Sequence, residues 1–126
     1  MADFAPALLS RLTGLAGGQV FWSIVPAGKA LPFVRLQTIS DPRPEHLKGY
    51  NGSRQTRVQA DFFAATPKAA RELALAGIAA VAEPATVGGV KFGRTSAEGP
   101  RDLGDDSTEG FIHRASIDLL VEHAGD

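Results

Sequence analysis

Three histidines and a run of carboxylates are the groups in this chain best suited to chemistry. His46, His113 and His123 have the side chain that ligates metals and moves protons near neutral pH. They stand far apart in sequence, and none has a second ligand at a metal-binding spacing. His113 falls among the apolar residues of a strand pattern, where a packed or hydrogen-bonded imidazole is expected. His123 stands beside Glu122 near the end of the sequence and is expected to be exposed. The run Asp102-Leu103-Gly104-Asp105-Asp106-Ser107-Thr108-Glu109 has the oxygen donors calcium prefers. It lacks the regular alternation of ligands and the well-placed bidentate glutamate of a calcium loop. Asp105 and Asp106 are adjacent, with nothing to raise and hold the pKa of one of them for acid–base work. Gly88-Gly89-Val90-Lys91-Phe92-Gly93 is followed neither by Lys-Ser/Thr nor by a helix, so it is not a phosphate loop. Ser10, Ser23 and Ser116 have no base or nucleophile elbow near them. The residues therefore predict neither an enzyme nor a metal or cofactor site.

Composition narrows the classes further. The chain has 126 residues, enough for one domain over 1–126 with a single core. With 44% hydrophobic and 21% charged residues it reads as an ordinary globular protein. A net charge of −1 offers no overall attraction for nucleic acid or an anionic membrane, and Arg54 with Arg57 is too sparse for a nucleic-acid patch. There is no cysteine, hence no disulfide or thiol chemistry, which fits a reducing compartment. The N-terminus lacks the basic and apolar regions of a secretory signal, and no run approaches the ~20 apolar residues that span a bilayer. Asn51-Gly52-Ser53 is read as a chance sequon. Fourteen glycines and eight prolines favour strands and loops over a helical bundle.

The elements that must position these residues follow from periodicity. Phe4, Leu8, Leu12 and Leu15 recur at helical spacing, so a helix is expected over 4–15, stopped by Gly17-Gly18. A strand is expected over 19–25, a turn at Pro26-Ala27-Gly28-Lys29, and a second strand over 33–40. Asp41 to Gly52 reads as a long loop. Arg57 to Phe63 alternates polar and apolar residues, so it reads as a strand. It leads through Thr66, a suitable cap, and Pro67 into an alanine-rich helix over 68–82. A glycine-broken strand over 87–97, a solvated acidic loop over 98–110 and a long strand over 111–122 complete the order. The expected fold is α+β: a two-layer sandwich with a mainly antiparallel sheet of about five strands and two helices packed on one face. Val58 and Phe62 under the alanine-rich helix form the expected centre of the core.

Such a sheet has a second face. Alternation assigns to it Arg35, Gln37, Arg57, Gln59, Asp61, Arg114 and Asp118, interleaved with Phe33, Ile39, Phe63, Ile112 and Leu120. Arginine and aromatic residues mixed in this way are typical of interfaces. Arg35, Gln37, Arg57, Gln59, Asp61 and Arg114 are therefore the expected subunit-interface residues.

The same stretches carry a resemblance. Gln19-Val20-Phe21 after the first helix, the turn Ala30-Leu31-Pro32-Phe33-Val34, the phrase Arg57-Val58-Gln59-Ala60-Asp61-Phe62-Phe63 and the alanine-rich helix from Lys68 together carry it. In them the chain resembles the small tail-completion proteins of long-tailed phages and gene transfer agents, the head–tail joining or tail-terminator group. The likeness covers nearly the whole chain in element order. Phe33 stands where a tyrosine is usual, and the acidic stretch from Glu98 is not part of the pattern. The resemblance implies a structural virion component in the neck of the tail, assembled in the bacterial host cytoplasm. Such proteins form rings, commonly hexameric, and their partners are their own copies, the major tail tube protein and the head–tail connector protein. DNA would be passing cargo, and no membrane is involved. On this reading Arg57 and Asp61 would pair with charges on a neighbour. Arg43, His46 and Lys48 of one loop, and Asp102, Asp105 and Asp106 of the other, would face tube or connector. An acidic loop lining the ring lumen would also repel DNA phosphates and let the genome slide. The alternatives are a head–tail connector of the stopper or adaptor type, a small ligand-binding or enzymatic α+β domain with a pocket between helix and sheet, and an isolated protein-interaction module.

Overall fold

The computed structural model describes residues 3–42, 53–107 and 110–124, without the side chains of residues 53, 105–107, 110 and 111. Helix α1 (Phe4–Leu12) leads through a single 3₁₀ turn (Ala16–Gly18) into β1 (Val20–Trp22) and β2 (Phe33–Ser40). Then come β3 (Ser53–Ala64), α2 (Pro67–Ala82), β4 (Ala85–Val87), β5 (Val90–Ser107) and β6 (Gly110–Ala124). The strands form one sheet in the order β1-β2-β3-β6-β5-β4. The fold is α+β as expected, but its sheet is mixed and six-stranded rather than mainly antiparallel with about five strands.

The parallel pair is β1 with β2, in register Val20↔Val34 to Trp22↔Leu36. Parallel neighbours need a chain return between them. Residues 23–32 provide it, and the Gln19 side-chain amide pins the return by donating to the Ala30 and Pro32 carbonyls at 3.0 and 2.8 Å. Ser23, at φ +65°, turns the chain away from β2, so β1 is three residues long rather than the seven expected over 19–25. The first helix likewise ends at Leu12 rather than at Leu15.

The largest difference lies in the acidic stretch. Over its described residues up to Ser107 it is not a loop: β5 runs to Ser107 and pairs with β6 as far as Ser107↔Gly110. Its backbone donors and acceptors are satisfied by a partner strand, which overrides the turn-like composition. Two bulges, between Phe92 and Thr95 and between Glu98 and Arg101, absorb the glycines and Pro100. Gly99 at φ +109° sits in the second, where a Cβ would lie 2.9 Å from the Ser116 carbonyl oxygen. The glycine-broken strand expected over 87–97 is in fact β4, a tight turn and the first half of β5.

Both helices cover the sheet face that carries Val34, Leu36, Val58, Ala60 and Phe62, and these residues are buried with Leu8 and Leu12 of α1 and Ala74 and Val81 of α2. Thr66 caps α2 by accepting from the Ala69 amide at 3.1 Å, and Pro67 takes the first helical position, as expected. Arg11 of α1 donates to the Glu83 carbonyl at 2.6 Å and lies 5.0 Å from the centre of the Phe92 ring, tying α1 to the end of α2 and to β5. Burial lowers the Arg11 pKa from its ordinary value.

The contact of α2 with the sheet is set by Gly77. A Cβ there would lie 2.6 and 2.7 Å from two ring carbons of Phe62, which is fully buried. Gly77→Ala is therefore expected to destabilise the protein by about 1–2 kcal/mol, overpacking outweighing the gain in helix propensity. A higher urea midpoint for this variant would contradict that close approach.

His123 departs from expectation. It is 2% exposed and stacks on Phe4 with ring centres 4.1 Å apart. Its Nε2 lies 2.7 Å from the Thr56 hydroxyl, which in turn donates to Asp41 Oδ1 at 2.9 Å. With the hydroxyl proton directed to Asp41, Nε2 is the donor to Thr56. The imidazole thus has a buried polar partner as well as an apolar one, which reconciles it with the core.

Candidate assembly interface

The sheet face opposite the helices is built from rows of side chains that cross four strands, because directly paired residues share a face. One row is Phe33, Phe63, Arg114 and Leu103; the next is Arg35, Asp61, Ser116 and Arg101; a third is Gln37, Gln59, Asp118 and Glu98. All six expected interface residues lie on this one face.

Asp61 is its anchor. Its carboxylate is fully buried although no helix covers it. Arg35 reaches it at 3.0 Å, the Gln59 amide donates at 3.1 and 3.2 Å, and Arg114 stands at 4.0 Å. Phe63, 7% exposed, packs beside them. The Arg35 and Arg114 guanidinium carbons lie 5.4 and 5.9 Å from the centre of its ring. Phe33 meets the same ring at 4.8 Å. Two cations on one aromatic and one carboxylate form a fixed patch: the arginines are held by contacts within the chain. Asp61 therefore positions Arg35 and Arg114, and its carboxylate is engaged within the chain rather than offered to a neighbour.

Arg57 is engaged likewise, at 3.2 Å from Asp118 and 3.9 Å from Glu98. Gln37 is half-buried opposite Gln59. Arg101, Glu98 and Leu103, which sequence reasoning placed in a loop, join the face: Arg101 reaches Asp118 at 3.6 Å and donates to Ser116 at 3.3 Å. The bulge at Gly99-Pro100 hid them. Before it the even-numbered residues of β5 point outward, after it the odd ones, so a fixed two-residue period cannot follow the strand.

Of the loop-borne candidates, Arg43, His46 and Lys48 lie outside the described residues. Asp102, Asp105 and Asp106 are on β5 rather than on a loop. Asp102 faces the helix side, 3.9 Å from Arg71. Beside it Pro67, Ala70, Gly104, His113 and Arg114 help line an open cleft of about 240 Å³. No group of three or more metal-capable side chains gathers among the described residues, and none of their helices is long and apolar enough to cross a membrane.

No model of a known protein family matches the chain, and no curated protein matches it.

Proposed function

We propose that this chain is a ring-forming structural protein of a phage-type tail, a tail terminator that caps the tail tube and joins it to the head connector. The observation that supports this reading is the sheet face just described. It combines a tilted pair of aromatic rings and fixed guanidinium groups at one end with a charged, polar row beside them, and no described helix covers it. Rigid arginine and aromatic groups are what an interface uses, since little side-chain freedom is lost when they dock. The order of elements adds support, because it carries the stretches in which the sequence resembles tail-completion proteins. The role is non-enzymatic, with the copies of the chain, the tube protein and the connector as partners.

A ligand-binding domain is the second reading, favoured by the cleft beside Asp102 and His113. That cleft is small and open, about 240 Å³. The interface reading accounts for more of the molecule.

Mass measurement on the full chain, alone and with tail tube protein, tests the proposal. A hexameric species is expected, and a chain that stays monomeric in both conditions overturns it. Arg57→Glu is expected to keep the fold and impair assembly. The structure adds a stability loss of about 1 kcal/mol, because the new carboxylate faces Asp118 and Glu98. Arg57→Gln is the cleaner variant: it is expected to fold as the parent does and to assemble less well, and assembly at the parental concentration would remove Arg57 from the interface.

A further inference from the structure

We infer that the free edge of β5 pairs with the same edge of a second copy of this chain, antiparallel and about a two-fold axis, so that Glu98 of each copy faces Arg101 of the other. The pairing goes beyond the ring reading. A two-fold contact joins two copies and stops there, and it needs neither tube nor connector.

Three observations carry it. First, the edge is open. β4 is the last strand of the sheet, and it covers β5 only from Val90 to Phe92. From Gly93 to Gly104 the side of β5 away from β6 has no partner strand among the described residues. Such an edge presents backbone donors and acceptors that another strand can satisfy. Second, this strand carries exposed charge of both signs. The Glu98 and Arg101 side chains are 73% and 58% exposed, whereas Arg35, Asp61, Arg114 and Asp118 on the same face are largely enclosed by one another and by Phe63. Leu103 stands beside Arg101, also exposed.

Third, the order of the signs selects one register. An axis between Glu98 and Arg101 sets these two opposite each other twice, and sets Ser96 opposite Leu103. An axis through either charge puts like on like, as does a parallel pair in register. The bulge between Glu98 and Arg101 reverses the alternation, so both side chains point to the outer face. Bulge then lies opposite bulge, and the paired side chains share a face on both sides of it. Charges on an open edge keep foreign strands away. Against a second copy the same charges are complementary, which is why the occupant is this chain itself.

The chain has no cysteine, so Ser96→Cys/Leu103→Cys supplies its only thiols. Directly paired residues of antiparallel strands have Cα atoms about 4.5–5.5 Å apart, within disulfide reach. Positions 96 and 103 of one chain are roughly 20 Å apart along the strand, so a bridge between them must join two chains. The expected result of mild oxidation is a covalent pair at twice the chain mass on a non-reducing gel, and nothing larger. Either single variant should stay a single chain, and thermal unfolding of the reduced variants checks their fold. Single chains alone from the double variant overturn the inference, and so does a ladder of three or more chains, which marks a head-to-tail contact. A second measurement uses charge. Glu98→Arg and Arg101→Glu should each raise the concentration needed for pairing roughly tenfold. An equal mixture of the two should pair as the parent does, because one copy then offers two acids and the other two bases. A mixture that pairs no better than its components overturns the register. If the covalent pair forms while tail tube protein induces no ring, the inference stands and the ring reading falls.

Discussion

Replacing Phe62 with alanine is expected to lower the free energy of unfolding by about 3–5 kcal/mol. Phe62 is the largest fully buried side chain among the described residues. On its own face β3 sets it between Val34 of β2 and Ala115 of β6, and α2 is drawn down onto its ring at Gly77. Few neighbours can move in to fill the space. Ala60, Ala74 and Ala115 are short, and the strands on either side are hydrogen-bonded in place. A cavity that cannot collapse gives the upper part of the usual range. Small domains are held by roughly 5–15 kcal/mol in all, so the variant should be partly unfolded near physiological temperature. Equilibrium urea unfolding measures this directly. A loss below about 1 kcal/mol would mean that the helix layer rests on some other contact.

The central strand–helix unit was legible in the sequence because each local signal agreed with the others. Val58, Ala60 and Phe62 alternate, Thr66 and Pro67 start a helix, and the small residues of α2 permit close packing; the structure uses all of these. The outer face was legible for the same reason on β2, β3 and β6, where the period of two is unbroken over Phe33–Gln37, Arg57–Phe63 and Arg114–Leu120. Beyond that the signals competed. Acids, glycines and a proline between Glu98 and Gly110 imitate a loop. Their strand is an edge partner of β6, the position where charge, bulges and proline are tolerated and where they discourage unwanted pairing. Each bulge in β5 reverses the phase of alternation, which concealed Arg101 and Leu103.

The parallel β1 and the buried His123 were hidden differently, because each depends on contacts distant in sequence. Nothing near Val20 marks it as a partner of Val34 rather than of an antiparallel neighbour. The decisive group is the Gln19 side chain, which gathers the return of the chain at Ala30 and Pro32. His123 next to Glu122 resembles a frayed end. Its burial follows from Phe4, more than a hundred residues away, and from Thr56 across the β3–β6 pair. An alternation count carried two residues further along β6, from Val121 to His123, would have placed the imidazole on the inner face. Spacing alone does not provide the hydroxyl that satisfies it.

Arg35→Met should cost about 3 kcal/mol of stability, and adding Asp61→Leu to the same chain should restore most of it. The Asp61 carboxylate is fully buried, and Arg35, 3.0 Å away, is the nearest cation to it. Methionine retains the packing of the arginine stem on Phe63 but removes the charge. The carboxylate then keeps the Gln59 amide and Arg114 at 4.0 Å. A single neutral donor and a distant cation compensate poorly for lost hydration, and breaking a buried pair from one side costs more than removing the pair. Asp61→Leu in the Arg35→Met background removes the stranded charge, so the double variant should lie within about 1 kcal/mol of the parent, a strong positive coupling in a double-mutant cycle. Additive losses would show that Asp61 reaches water and does not organise the face. Arg114 provides the second readout. It also leans on Asp61 and Phe63, so the restored double variant should fold normally yet assemble poorly, with one guanidinium gone and the other unanchored. Stability would then be separated from assembly on a face where the same carboxylate supports both.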